Sequence, residues 1–193
     1  VAGSFHMGEE TMIMRAFLEL WPRHRDLRLL IAPRDRHKFA LNWRLVREMF
    51  PHDCARRSQP QPSDSGARVF LLDTLGELER YYALAEVALV GKSWPGAHEG
   101  GGHNPLEPAV RAKPVISGPK VNNFKWMYRA LYAAGGGLMV EKEDLSETLD
   151  QLLSQPGQLE EMGRLGHDFV LSHRGAVTDT LASIRPPIPE LER

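Results

Sequence analysis

Val87-Ala88-Leu89-Val90-Gly91 is a short apolar run that stops on glycine, and after a loop Gly100-Gly101-Gly102-His103-Asn104-Pro105-Leu106-Glu107-Pro108-Ala109 opens a helix. A continuous apolar run of this length, bounded by turn residues, fits a strand buried on both faces. Pro105 suits a first helical turn and Asn104 the cap before it. Strand, glycine-rich loop and helix in that order make the repeating unit of a parallel α/β sheet.

The same alternation extends in both directions. Upstream, Glu9 and Glu10 stand where a helix start favours acids, and Met12, Ile13, Phe17, Leu18 and Leu20 recur at helical spacing, predicting a helix from about Glu9 to His24. Leu27 to Ala32 reads as a buried strand ending at Pro33, Arg36 to Phe50 as a helix, and Gln59 to Gly66 as a surface loop. Val69 to Leu72 reads as a strand and Gly76 to Ala85 as a short helix. Downstream, Pro114 to Ser117 and Gly137 to Val140 read as strands and Asn123 to Ala134 as a helix. Leu145 to Leu153, Leu159 to Leu171 and Val177 to Ile184 read as consecutive helices. The organisation predicted is one domain over residues 1–185 and a loose proline-rich tail at 186–193. The opening Gly3-Ser4-Phe5-His6-Met7 reads either as a strand end entering a helix, which makes the chain a piece of a longer protein, or as an appended tail.

Strands separated by helices imply right-handed crossovers and a parallel sheet flanked by helices, a Rossmann-like α/β fold. Ligands of such sheets bind beyond the carboxyl ends of the strands. Here those loops are Gly3–Gly8, Pro33–Arg36, Asp73–Gly76, Gly91–Asn104 and Gly118–Asn122, and they hold the unusual residues of the chain.

Bulk properties narrow the field. The net charge of -1 excludes the basic excess of a typical nucleic-acid binder, so an anion has to be caught by local donors. The single cysteine, Cys54, excludes an internal disulfide framework and fits a reducing, cytoplasmic setting. No apolar stretch approaches the roughly 20 residues of a membrane span.

Glycines at Gly101 and Gly102 let backbone approach a ligand, and the helix start after His103 and Asn104 offers amides to a phosphate. Glu107, one turn on, would repel a phosphate and suits the paired hydroxyls of a ribose. Phosphate on the amides and ribose on Glu107 together describe one nucleotide. Arg34 is placed to reach a phosphate, or is an ordinary surface arginine. Asp73 or Thr74 offers a helix cap, and the segment Asp73, Thr74, Gly76 and Glu77 could equally contact a base or ribose. Ser4 and His6 offer a hydroxyl and an imidazole to the same place, whereas Glu9 and Glu10 read foremost as partners of the helix dipole. Zinc is the competing reading of His98, Glu99 and His103 with His6; histidines five apart across three glycines do not make the helical i, i+4 pair of a zincin.

Taken together these segments resemble the C-terminal domain of 3-deoxy-D-manno-octulosonic acid (Kdo) transferases. Ser4, His6, Gly8, Glu9 and Glu10 fit a first motif, Pro33, Arg34 and Phe39 a second, and Asp73, Thr74, Gly76, Glu77 and Leu78 a third. Gly91, Ser93 and Gly101 to Ala109 fit a fourth, with Gly118, Pro119, Asn123 and Phe124 closing the series. Phe5, Met7, Asp35 and Lys92 depart from it, Lys92 standing at a usual glycine, and the loop Trp94–Gly100 is longer than usual. The resemblance implies the C-terminal half of a GT-B glycosyltransferase, binding CMP-Kdo as donor for transfer to a lipid A precursor at the cytoplasmic face of the bacterial inner membrane. It implies an N-terminal GT-B domain of the same protein that carries the acceptor site and a glutamate general base, hence no catalytic residue in this chain, no cofactor and no metal. The alternatives are a UDP- or GDP-sugar transferase or epimerase of the same fold, or a non-catalytic nucleotide-binding module.

Overall fold

The computed structural model describes residues 1–96 and 100–173. Seven strands, β1 (Ala2–Phe5), β2 (Leu29–Pro33), β3 (Cys54–Arg56), β4 (Val69–Leu71), β5 (Ala88–Val90), β6 (Val115–Ser117) and β7 (Gly137–Met139), form one sheet. Their order is β3-β4-β2-β1-β5-β6-β7, and every pairing is parallel. The helices are α1 (Glu9–Leu20), α2 (Phe39–Met49), α3 (Leu78–Tyr82), α4 (Leu106–Ala109), α5 (Lys125–Ala133), α6 (Leu145–Leu153) and α7 (Pro156–Ser172).

From β1 the chain steps outward through β2, and from β4 it crosses back to β5 on the other side of β1. Right-handed crossovers in opposite directions put α1 and α2 on one face and α3 and α4 on the other. α1 packs on α6, while α4 packs on α3 and α7. The gap between the carboxyl ends of β1 and β5 is therefore the switch point at which sheets of this class bind ligands. The strands are as apolar as burial on both faces requires: Ala2, Ile31, Val69, Leu71, Ala88, Val115 and Ile116 are buried. Truncating one of the larger of these to alanine costs about 2–5 kcal/mol.

Several expected boundaries shift for local reasons. The first helix ends at Leu20 and not His24 because Pro22 has no N–H for the helical ladder. The second begins as a 3-10 turn at Arg36–Lys38, where the Asp35 carboxylate accepts from the His37 amide at 2.9 Å. The third starts at Leu78, since Gly76 takes φ 79, outside helical geometry. β3, a short edge strand, was not expected: Cys-Ala-Arg carries no apolar run. Gly3 to Phe5 belongs to the central strand, which disposes of the appended-tail reading. The helix expected at Val177–Ile184 and the tail at 186–193 lie outside the described residues.

Candidate functional site

The switch point is held together by one carboxylate. Glu9, 3% exposed, accepts from the amides of His6 at 2.8 Å and Lys92 at 2.7 Å on one oxygen. Its other oxygen accepts from the amides of Ser93 at 2.9 Å and Trp94 at 3.0 Å. Glu9 thus staples the loop after β1 to the loop after β5, a role different from the dipole partner that its sequence position suggested. The backbone bends sharply on both sides of the staple: Ser4 takes φ 57 and Lys92 φ 61, left-handed values that are strained for residues with a Cβ. Nearby, Ser93 is fully buried, donates to the Val90 carbonyl and accepts from the Gly118 amide at 2.9 Å.

The glycine loop is shaped by protein contacts and less by the close ligand approach read from its sequence. The amide of Gly101 donates to Lys120 and that of Gly102 to Lys92, so neither is left for a phosphate. Gly101 takes φ 121, and a Cβ there would lie 2.6 Å from the Asn123 side chain. Amides without an acceptor among the described residues remain at His103 and Asn104. The helix behind them is only Leu106–Ala109, too short for much of a dipole, and Asn104 Oδ1 already caps the Leu106 amide at 3.0 Å. Tyr128 fixes the same stretch by donating its hydroxyl to the His103 carbonyl at 2.9 Å.

Three of the expected groups converge here. Arg34 is exposed at the end of β2, its amide bonded to the Phe5 carbonyl at 3.1 Å, and its charge reaches both His103 and Glu107. Glu107 is exposed beside it; burial of its flanks pushes its carboxyl above the ordinary range, opposed by Arg34 and by a hydrogen bond from Asn104. His103 is held down to about 4, by burial first, then by His6, Arg34 and Lys92. His6 and His103 face each other with Nε2 atoms 3.0 Å apart. The zinc reading had grouped His6 with His103, and the structure brings the two rings together as a direct contact between distant loops.

The third group of residues is engaged differently. Asp73 accepts from the Ser58 amide at 2.8 Å and the Ser58 hydroxyl at 2.6 Å. Glu77 accepts from Arg57 at 3.0 Å and from the Thr74 hydroxyl. These hydrogen bonds pull Glu77 below the usual carboxylate range, that from Thr74 most strongly. Asp73 and Glu77 thus tie the end of β4 to the end of β3, with Thr74 steadying Glu77, and neither carboxylate caps the helix at Leu78. Trp94 is buried with its indole donating to the Val140 carbonyl, whereas Trp126 is 63% exposed. His98 and Glu99, named in the zinc reading, lie outside the described residues, among which no three His, Cys, Asp or Glu side chains group to hold a metal ion. Among the described residues no helix is long and apolar enough to cross a membrane.

Comparison with known proteins follows the same lines. The chain is 32% identical over 189 residues to the 3-deoxy-D-manno-octulosonic acid transferase of Haemophilus influenzae, covering 96% of this chain and 43% of that protein. It superposes on the C-terminal CMP-Kdo binding domain of WaaA from Acinetobacter baumannii with TM-score 0.78 and 28% identity, over 88% of this chain and 86% of that one. The chain belongs to the Kdo transferases, as a C-terminal domain. No protein-family model matches it. WaaG, a glycosyltransferase involved in lipopolysaccharide biosynthesis, shares the fold with TM-score 0.59 and 16% identity, over 95% of this chain and 46% of that one. The seven-stranded parallel sheet is thus that of a GT-B domain, and the chain spans about two fifths of the curated Kdo transferase it matches.

Proposed function

We propose that this Kdo transferase domain binds the donor CMP-Kdo, and that the whole protein transfers Kdo to a lipid A precursor. The observation that carries the reading is the convergence at the β1–β5 switch point of Arg34, Lys92 and the His103 and Asn104 amides, with the Glu107 carboxylate alongside. The phosphate sits against Arg34, Lys92 and those amides, Ser4 lies at the same strand end, and the ribose hydroxyls meet Glu107. The base extends toward Asp73, Thr74, Gly76 and Glu77. From β5 through β1 and β2 to β4 is three strand spacings, about 14 Å, comparable to an extended mononucleotide. The name of the Acinetobacter domain, a CMP-Kdo binding domain, supports cytosine as the base.

The chemistry left to this domain is stabilisation of the leaving group. As the glycosidic bond breaks, a phosphodiester with one negative charge becomes a monoester with nearly two, and fixed donors aimed at it are worth about 3–4 kcal/mol each in a closed site. The general base and the acceptor site belong, on this reading, to an N-terminal domain, and the assembled enzyme works at the cytoplasmic face of the inner membrane. Calorimetric titration with CMP, UDP and GDP tests the assignment. CMP is expected to bind tightest; tight UDP or GDP binding without a CMP response favours a different nucleotide-sugar enzyme and overturns it.

A further inference from the structure

The loop after β6 takes no part in nucleotide binding as described, although it is fastened to the switch point. Ser93 accepts the Lys120 amide on its carbonyl at 2.8 Å and the Gly118 amide on its hydroxyl at 2.9 Å. Consecutive amides of the glycine loop then hold lysines of the two neighbouring loops: Gly101 donates to the Lys120 carbonyl at 3.1 Å and Gly102 to the Lys92 carbonyl at 2.8 Å. The Lys120 stem runs along Gly100, where an added Cβ would lie 2.7 Å from Lys120 Cβ and 2.9 Å from its Cδ. Main chain and stem are thus set, and the half-buried side chain leaves its ammonium to meet solvent or a ligand. Among the described residues no carboxylate pairs with that ammonium.

The chemistry of the donor supplies a second anion for this second cation. Kdo is an acid sugar whose carboxylate is carried on the anomeric carbon, the atom bonded to the phosphate oxygen. CMP-Kdo therefore presents a phosphodiester and, close beside it, a carboxylate. Nucleoside and sugar leave the phosphorus on different oxygens, so a nucleoside running from β1 toward β4 sends the sugar the other way, over β5 and β6. From the β1–β5 gap to β6 is one and a half strand spacings, about 7 Å, which an extended lysine side chain spans. Arg34 beyond β2 and Lys92 beyond β5 bracket the phosphate, and Lys120 beyond β6 is left for the carboxylate. Glu107, the carboxylate that would repel it, stands with Arg34 on the ribose side.

We infer that Lys120 binds the carboxylate of the donor's sugar and so selects an acidic sugar over a neutral one. A neutral sugar in the same place leaves the ammonium unpaired beneath it, and a site built around a polar group discriminates strongly against ligands that lack the group. The assignment rests on the nucleotide reading, since it takes its direction from where the phosphate and nucleoside lie. It adds to that reading the residue that tells a nucleotide bearing an acidic sugar from a bare nucleotide.

Calorimetric titration of the chain with two ligands tests the assignment: CMP-Kdo, and cytidine 5′-methyl phosphate, a diester with the same single phosphate charge and no sugar. In Lys120→Gln the affinity for CMP-Kdo is expected to fall about tenfold or more, the scale of a lost charge-assisted hydrogen bond, while that for the methyl diester changes less than about twofold. Lys120→Arg, which keeps the charge, is expected to retain most of the CMP-Kdo affinity. Equal weakening of both ligands in Lys120→Gln, or no change in either, overturns the assignment and leaves the nucleotide reading standing. Failure of both ligands to bind the unsubstituted chain sinks the two together. If Lys120→Gln unfolds the chain, the unsubstituted chain decides: a preference for CMP-Kdo over the diester that shrinks with added salt supports the carboxylate contact, and no preference overturns it.

Discussion

Replacing Glu9 by glutamine keeps size and shape and removes half of the staple between the two central loops. The carboxylate accepts His6 and Lys92 on one oxygen and Ser93 and Trp94 on the other. An amide can present one oxygen to one pair, and turns an NH2 group toward two N–H donors at the other. Each lost hydrogen bond to a charged group is worth about 1.5–3 kcal/mol, so the substitution should cost about 3–6 kcal/mol. For a chain of this size that is a fall in Tm of about 6–24 °C. Urea unfolding reads it as a lower midpoint with unchanged slope. The neighbouring glutamate is the control. Glu10 is 6% exposed, its Oε2 has no hydrogen-bond partner, and burial raises its carboxyl above the ordinary range. A raised value means the fold prefers the protonated acid, so Glu10 opposes folding increasingly as pH climbs past about 4.3. Glu10→Gln should then stabilise the chain at neutral pH and lose that gain below about pH 4. A loss under about 1 kcal/mol for Glu9→Gln, or equal losses at both positions, would refute the staple.

Three shorter predictions concern binding and turnover. Glu107→Gln should weaken CMP binding by about 1–3 kcal/mol in calorimetry, and an unchanged affinity removes Glu107 from the ribose site. The CMP isotherm should be the same with magnesium and with EDTA, since one phosphate presents no pyrophosphate clamp; a magnesium requirement contradicts the metal-independent reading. The chain alone, given CMP-Kdo and a lipid A precursor, should form no product by mass spectrometry, and turnover would show that the base lies within these residues.

The parallel sheet was legible because its central strands are buried on both faces and have to be continuously apolar; Val87 to Val90 could hardly be anything else. β3 escaped because an edge strand of three residues, Cys54–Arg56, leaves no such pattern. At the site, Arg34 and Glu107 could be named because their positions follow from strand and helix ends. Their neighbours' roles could not. Glu9 meets amides more than eighty residues away, and periodicity carries no record of a contact at that distance. Gly101 and Gly102 were read as making room for a ligand, whereas they bend the loop against Lys120, Asn123 and Tyr128. Asp73 was read as a cap or a nucleotide contact and Glu77 as a nucleotide contact, and their carboxylates are engaged by Ser58, Arg57 and Thr74.

A crystal structure of the chain with CMP tests the central claim most directly. The account expects the phosphate within hydrogen-bond reach of the His103 and Asn104 amides and of Arg34, with both ribose hydroxyls on the Glu107 carboxylate. A nucleotide bound elsewhere, or one whose phosphate turns away from the β1–β5 switch point, would contradict it.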